Sequence, residues 1–376
     1  MEFVDIKRQY NHYKEEINNT LLQVMASGQF ILGRQVEALE EALCHFTGTQ
    51  YAVGVSSGTD GLILSLMALG AGPGQVIVTT PFSFFATVEA IMLLGAEPAF
   101  VDIDPLTFNM VPELLERRLD NLQKAGKKVA GVIPVSLYGQ CADMDQINRI
   151  CQNRQLFVIE DACQSLGATY KGKKSGNLAT IGVTSFFPSK PLGCFGDGGM
   201  VFTSDKTLYK KLKAMRVHGD TGRYEHRYLG LNARLDAMQA AILRIKLKYF
   251  KKEIEQRQRA ARYYNELLLE LEQKGFISLP FIAPECTSVY AQYTIRIKSK
   301  GRQRVAELLG KQSIPTAVHY PKPLSLLEPV KRFGFAKGDF PEAELAAKQV
   351  LSLPIHAFIK KSEQEQVAEA LFKAFA

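Results

Sequence analysis

The chain has 376 residues, 46% hydrophobic and 22% charged, a globular composition with length enough for two domains. Charges are spread through the first twenty residues, and no apolar run reaches the roughly 18 residues of a membrane span, so the expectation is a cytoplasmic protein with no membrane partner. The net charge of +8 suits nucleic acid or a small phosphorylated ligand, but the basic residues are scattered. The runs in "YKKLK" and "KYFKK" read as solvated helix faces, which argues against nucleic acid.

From Thr49 onward, short β-rich runs alternate with helical ones: "YAVGV" then "GLILSLMALGAG", "QVIVTT" then "ATVEAIMLLGA", then "PAFVDI", "KVAGVIPVSLYG", "DMDQINRICQNRQ" and "LFVIEDA". That order predicts an α/β fold with a mostly parallel sheet covered on both faces. "TSFFPS" and "GMVFTS" read as two further strands and "KTLYKKLKAMRVHG" as the next helix. The large domain is placed at residues 1–245. "LDAMQAAILRIKLKYFKKEIEQRQRAARYYNELLLELEQKG" has helical spacing throughout and a glycine stop. It leads into a smaller α+β domain, residues 246–376, containing "YAQYTIRI", "RVAELLGKQ" and "EAELAAKQVLSLP". The six cysteines lie far apart with no CxxC pair, so no metal site or disulfide framework is expected.

Open α/β sheets bind ligands where their strands end, and four strand-end segments carry chemistry. "SSGTDGL", Ser56–Leu62, reads either as a plain helix start capped by Ser57 or Thr59 or as a phosphate-binding turn. "PFSFFATVEA" offers Phe82, Phe84 and Phe85, any of which can pack in the core or stack on a flat ring. In "FVIEDACQS" the strand ends in Glu160 and Asp161, read as a helix cap, a base, an ion-pair partner or a metal ligand. In "SFFPSKPLGCFGDGGM", Lys190 stands between Pro188 and Pro191, where burial would lower its pKa and make a nucleophilic amine. In this order the four supply each part of a pyridoxal phosphate site. "SSGTDGL" lacks the GxGxxG of a dinucleotide-binding turn.

With those residues in view, the chain resembles the DegT/StrS family of pyridoxal-phosphate-dependent nucleotide-sugar aminotransferases, nearly end to end. The most specific pieces are "SSGTDGL", "VIEDACQSLGA", "SFFPSKPLGCFGDGGM", "GLNARLDAMQAAIL" and "PTAVHYPKPL". The resemblance implies the type I, aspartate aminotransferase-like fold. Lys190 would be the Schiff-base lysine, Asp161 the partner of the pyridine nitrogen and Gln164 that of the ring hydroxyl. Phe84 would stack on the cofactor. Gly58, Thr59 and Ser185 would hold the phosphate, with Asn232 reaching in from a second subunit. Arg234, also from the partner chain, His319 and Tyr320 would contact the sugar, so the active site would be complete only in a homodimer.

The likeness is greatest to enzymes that aminate C3 of a UDP-linked 2-acetamido-2-deoxy-3-oxo-glucuronic acid for O-antigen sugars, with L-glutamate as donor leaving as 2-oxoglutarate. Phe195 stands where Tyr is frequent and is expected to bear on packing more than chemistry. Other nucleotide keto sugars, whether dTDP-3-keto or UDP-4-keto hexoses, and a non-catalytic regulatory protein on the same fold are the alternatives. A related dehydratase would carry histidine in place of Lys190. The regulatory reading predicts loss of Asp161, Gln164 or Lys190, and all three are present.

Overall fold

A computed structural model describes residues 1–375. Two helices precede the first strand. α1 (Ile6–Ser27) begins where the Asp5 side chain accepts the N–H of Arg8 at 2.8 Å and ends at Gly28 in the left-handed region, φ 66°. α2 (Arg34–Thr47) follows. The expected alternation then runs β1 (Tyr51–Val55), α3 (Gly58–Ala68), β2 (Val76–Thr79), α4 (Ala86–Leu93), β3 (Glu97–Phe100), α5 (Pro112–Lys124), β4 (Val129–Ile133), α6 (Met144–Gln152) and β5 (Phe157–Asp161). A short hairpin, β6 (Thr169–Tyr170) and β7 (Lys173–Lys174), leads to β8 (Ile181–Ser185), β9 (Gly199–Thr203) and α7 (Lys206–Met215).

Seven strands form one sheet in the order β1-β9-β8-β5-β4-β2-β3. β9 pairs antiparallel with β1 and β8, and every other pairing in it is parallel. Strands such as "VIVT" and "GMVFT" are buried along their whole length, as helices on both faces require. Because β1, β5 and β8 run the same way, Val55, Asp161 and Ser185 end on one edge, where β9 begins. The segment "TSFFPS" stays in the sheet only to Ser185. Pro188 has no N–H to continue a ladder, and the chain turns instead, with the Lys190 N–H donating to the Phe187 carbonyl at 2.8 Å.

The long helix is α8 (Ala237–Gln273), 37 residues, stopping just before Gly275 at φ 73°. Its residues through Ile254 pack in the core under the large sheet. From Ala260 they pack in a second core against a three-stranded antiparallel sheet. That sheet consists of β10 (Ile277–Ser278), β11 (Tyr293–Ile297) and β12 (Val350–Leu353), and the helices beside it are α9 (Arg302–Lys311), α10 (Pro341–Gln349) and α11 (Lys361–Phe375). "EAELAAKQVLSLP" thus divides into α10 from its second residue onward and the whole of β12. α1 clamps the assembly: Arg8 pairs with Glu363 of α11 at 2.8 Å, and the Tyr13 ring stacks on Tyr249 of α8 at 4.4 Å. Among the described residues no helix is long and apolar enough to cross a membrane, and no cluster of metal-ligating side chains occurs.

Candidate active site

A cavity of about 460 Å³ opens at the edge where β1, β5 and β8 end, and Gly58, Thr59, Phe84, Asp161, Gln164, Ser185, Lys190, His319 and Tyr320 all line it. Segments separated by as many as 260 residues are brought together there by the parallel sheet and by the 315–324 segment, which folds back over it. Asn232 and Arg234 do not line this cavity. They lie in the extended segment before α8, Arg234 paired with Val55 at the tip of β1 and Asn232 with Val217.

Strand alternation sends the two carboxylates of "FVIED" to opposite faces. Glu160 is wholly buried, accepting from Ser175 Oγ at 2.8 Å and from the N–H groups of Gly176 and Leu178 at 2.9 and 3.1 Å. It anchors the chain after β7. Asp161 faces the cavity and is 4% exposed. Its Oδ2 accepts from Thr87 Oγ1 at 2.8 Å and its Oδ1 from the N–H of Cys163 at 3.2 Å. It makes no ion pair among the described residues, so this buried carboxylate is held by neutral donors alone. A buried charge is costly unless paired, and the site therefore suits a ligand that brings a cation.

Gln164, one turn beyond, is fixed by its neighbours. Its Oε1 accepts the N–H of Tyr138 at 2.9 Å, and its Nε2 donates to the Tyr320 hydroxyl at 3.1 Å. Burial raises the Tyr320 phenol well above its ordinary pKa, with Asp161 adding to the effect, so the ring stays neutral. Its ring lies 6.3 Å from that of Phe84. Phe84 is 58% exposed, whereas Phe82 is completely buried, which separates the ring available to a ligand from the ring that packs the core.

Lys190 projects from the turn after β8. Burial lowers the pKa of its amine, opposed by Cys163 and Asp161. His319 shares the cavity, and its Nδ1 lies 3.1 Å from Ser352 Oγ on β12. Burial and the nearby Lys190 pull its pKa down to about 4, so it is a neutral imidazole at physiological pH. The Tyr138 hydroxyl donates to the His319 carbonyl, tying this segment to the large sheet.

At the other end stands α3. Ser57 caps it and takes the N–H of Asp60 at 3.0 Å, leaving the first-turn N–H groups of Gly58 and Thr59 for another acceptor beside Ser185. A Cβ on Gly58 would lie 2.8 Å from Ser185 Cβ and 3.0 Å from Cys163 Sγ. Only glycine leaves this cradle open. An anion cradle, an exposed aromatic face, a carboxylate without an ion pair and a lysine amine in one cavity fit a flat heteroaromatic ring bearing a phosphate, a ring nitrogen and an aldehyde.

Sequence reasoning missed Thr87, Cys163 and Gln292, which line the same cavity. Thr87 reaches Asp161 across 74 positions, a contact that no local pattern announces. Gln292 did leave a signal, an uncharged polar residue breaking the apolar run of "YAQYTIRI"; its buried Oε1 has no hydrogen-bond partner.

Comparison with known proteins agrees with this geometry. The chain is 46% identical, over 99% of both lengths, to the UDP-2-acetamido-2-deoxy-3-oxo-D-glucuronate aminotransferase of Pseudomonas aeruginosa. It is 42% identical to a protein of Geobacillus stearothermophilus named a pleiotropic regulatory protein, over 98% of this chain and 96% of that one. The structure of NtdA from Bacillus subtilis with its bound cofactor, pyridoxamine phosphate, superposes with a TM-score of 0.91 at 32% identity, covering all of this chain and 85% of the other. Residues 11–372 match the DegT/DnrJ/EryC1/StrS aminotransferase family, and the chain is a member of that family, a pyridoxal-phosphate-dependent aminotransferase of fold type I.

Proposed function

We propose that this enzyme moves the amino group of L-glutamate to the C3 keto group of a UDP-linked 2-acetamido-2-deoxy-3-oxo-glucuronic acid in the cytoplasm, for O-antigen sugars. The reading rests on the likeness to the Pseudomonas aeruginosa protein of that name. The observation that carries it is the joint presence of Asp161, Gln164, Lys190, His319 and Tyr320 in one cavity. The same observation favours turnover over the regulatory role in the name of the Geobacillus protein, because a non-catalytic chain has no need of them together.

When bound, pyridoxal phosphate supplies the electron sink through which an amino group is exchanged between an amino acid and a keto acceptor. Asp161, with no protein cation in ion-pair distance among the described residues, would keep a proton on the ring nitrogen. The Gln164 amide, held by Tyr138, donates toward the ring hydroxyl oxygen. Gly58, Thr59 and Ser185 bind the phosphate at the start of α3, and Phe84 covers one face of the ring. Lys190 is the amine that would hold the aldehyde carbon, its oxygen leaving as water, and that would carry the proton at the reacting carbon, work that its lowered pKa suits. Neutral His319 and Tyr320 offer hydrogen bonds to the sugar without competing with Asp161 for a cation.

We assign Asn232 and Arg234 to the cavity of a second copy of the chain, Asn232 on the phosphate and Arg234 on a carboxylate. Supporting this, exposed apolar residues surround their segment. Phe30 and Ile31 are 45% and 51% exposed, and their strip of chain pairs with the start of α8 at Asp236 and Ala237. Leu22 and Met25 lie at the end of α1 close by in sequence and are also exposed. An unpartnered patch of this kind is what a homodimer would cover.

Arg234 tests the substrate class. Its planar fork can bind both oxygens of glutamate and, in turn, of the uronate. Arg234→Ala is expected to lower kcat/KM for the UDP-3-keto-uronic acid by about tenfold to a hundredfold, the loss of one charge-assisted pair. A neutral dTDP-3-keto-hexose should lose far less in the half-reaction that consumes the sugar, measured with enzyme preloaded with the amino group. Equal losses on both sugars would place the acceptor elsewhere in the family. Gly58→Ala tests the cradle, because overpacking of about 1–3 kcal/mol at the phosphate site is expected to weaken pyridoxal phosphate binding about fivefold to 150-fold in a titration. Unchanged affinity would remove Gly58 from it.

A further inference from the structure

Beneath the loop that carries Lys190 lies a second lysine with almost no access to water. Lys246 on α8 is 2% exposed, and its ammonium donates to the carbonyl of Gly193, three residues beyond Lys190. The same ammonium stands 5.1 Å from the centre of the Phe195 ring, which the edge of Tyr10 from α1 meets at 5.9 Å. Burial brings its pKa down to about 8, with Glu253 and Cys194 acting the other way and Arg257 reinforcing the fall, so it remains a cation at neutral pH. Lys246 has no carboxylate within ion-pair distance among the described residues. A buried, unpaired lysine is rare, and the group it satisfies here is the backbone of the Lys190 loop.

That loop is closed on itself. The Cys194 N–H donates to the Phe186 carbonyl at 2.7 Å and the Lys190 N–H to that of Phe187 at 2.8 Å. Gly193 sits so close to this turn that a Cβ would fall 2.5 Å from the Pro188 carbonyl oxygen. A ring so tight moves as one piece, and α8 holds it at two adjacent points. Gln239 Oε1 accepts the Phe195 N–H at 2.9 Å, and Lys246 grips Gly193. We propose that Lys246 is a positioning residue for Lys190: through the Gly193 carbonyl, its ammonium sets the pose from which the Lys190 amine reaches the cavity.

The inference rests on Lys190 being the residue that bonds the cofactor, and the test separates the two. The absorbance change on mixing cofactor-free full-length protein with pyridoxal phosphate reports capture by the Lys190 amine. Lys246→Met, which keeps the stem and loses the charge, is expected to capture at least about tenfold more slowly, since displacement by an ångström can cost a hundredfold. Lys246→Arg keeps a cation and donors, and is expected to stay within about threefold of wild type. In Lys246→Met, hydrogen exchange at the Lys190 and Cys194 amides should quicken at least about tenfold while β8 and β9 keep their protection. Capture at the wild-type rate, or unchanged loop protection, in that variant overturns the proposal.

Should Lys246→Met fail to fold, the wild-type protein decides. Its Lys190 and Cys194 amides are expected to exchange no faster than those of α8 around Lys246, and exchange about tenfold faster overturns the proposal. Lys190→Ala run alongside reports on the underlying reading. Capture that persists in it dismisses Lys190 as the bonding residue, whereas the exchange results hold whichever residue bonds.

Discussion

Lys190→Ala will abolish covalent capture of pyridoxal phosphate and lower turnover with L-glutamate by at least about a thousandfold, within the range for losing a positioned proton carrier and beyond it once the covalent role is counted. Nothing nearby can stand in. His319 shares the cavity, but burial lowers its pKa with or without Lys190, and an imidazole has no primary amine to condense with an aldehyde. Cys163 is also there, yet burial and Asp161 raise its thiol far above the ordinary range. The variant should fold, because the Lys190 backbone bond to Phe187 and the Cys194 bond to Phe186 do not involve the side chain. Noncovalent binding of the cofactor should survive through α3 and Asp161. The measurement is the absorbance of protein mixed with pyridoxal phosphate, before and after glutamate. A wild-type-like spectrum and turnover in Lys190→Ala would take the chemistry away from this residue.

Much of this site could be read from the chain because its parts sit where strands end, and strand ends are marked by local signals. "SSGTDGL" carries a cap and a glycine, "VIED" an apolar strand closing in carboxylates, and "PSKP" a lysine between two prolines. What stayed hidden depends on distance in sequence or on a partner. Which carboxylate of "VIED" faces the ligand follows from strand register, which becomes visible only once β5 lies between β4 and β8. Thr87 and Tyr138, which orient Asp161 and Gln164, lie 74 and 26 positions from the groups they hold. Lys246 is the sharpest case. The basic run "KYFKK", read as a solvated helix face, begins two residues after it, and nothing local marks Lys246 as the one whose ammonium meets the Gly193 carbonyl. The charges spread through the opening segment likewise give no hint of packing, yet it forms α1, whose tyrosines pack on α8.

Asp161→Asn is expected to cost at least about a hundredfold in turnover, the low end for an electrostatic or acid–base group, while affinity for the cofactor falls much less. The asymmetry follows from what the carboxylate touches. Both of its protein partners, Thr87 Oγ1 and the Cys163 N–H, are donors. An asparagine carbonyl can accept from one of them, and the Thr87 hydroxyl can turn to accept from the new amide, with Ser83 Oγ 3.5 Å away as an alternative partner. The fold therefore loses about 1–3 kcal/mol or less. The phosphate cradle and Lys190 are untouched, so the cofactor remains held. What disappears is the negative charge. Asp161 is buried with no protein cation in ion-pair distance among the described residues, and its field would act on the ring nitrogen at low dielectric, where a unit charge counts for much more than in water. An amide in that place leaves the ring nitrogen unprotonated and the ring a poorer electron sink. Single-turnover rates with glutamate should therefore drop by the full factor while the dissociation constant, read from the titration of cofactor absorbance, changes by less than about tenfold. Were both to fall together, Asp161 would be a binding group whose charge matters equally before and during the reaction. Were neither to fall, the proton on the ring nitrogen would have another keeper.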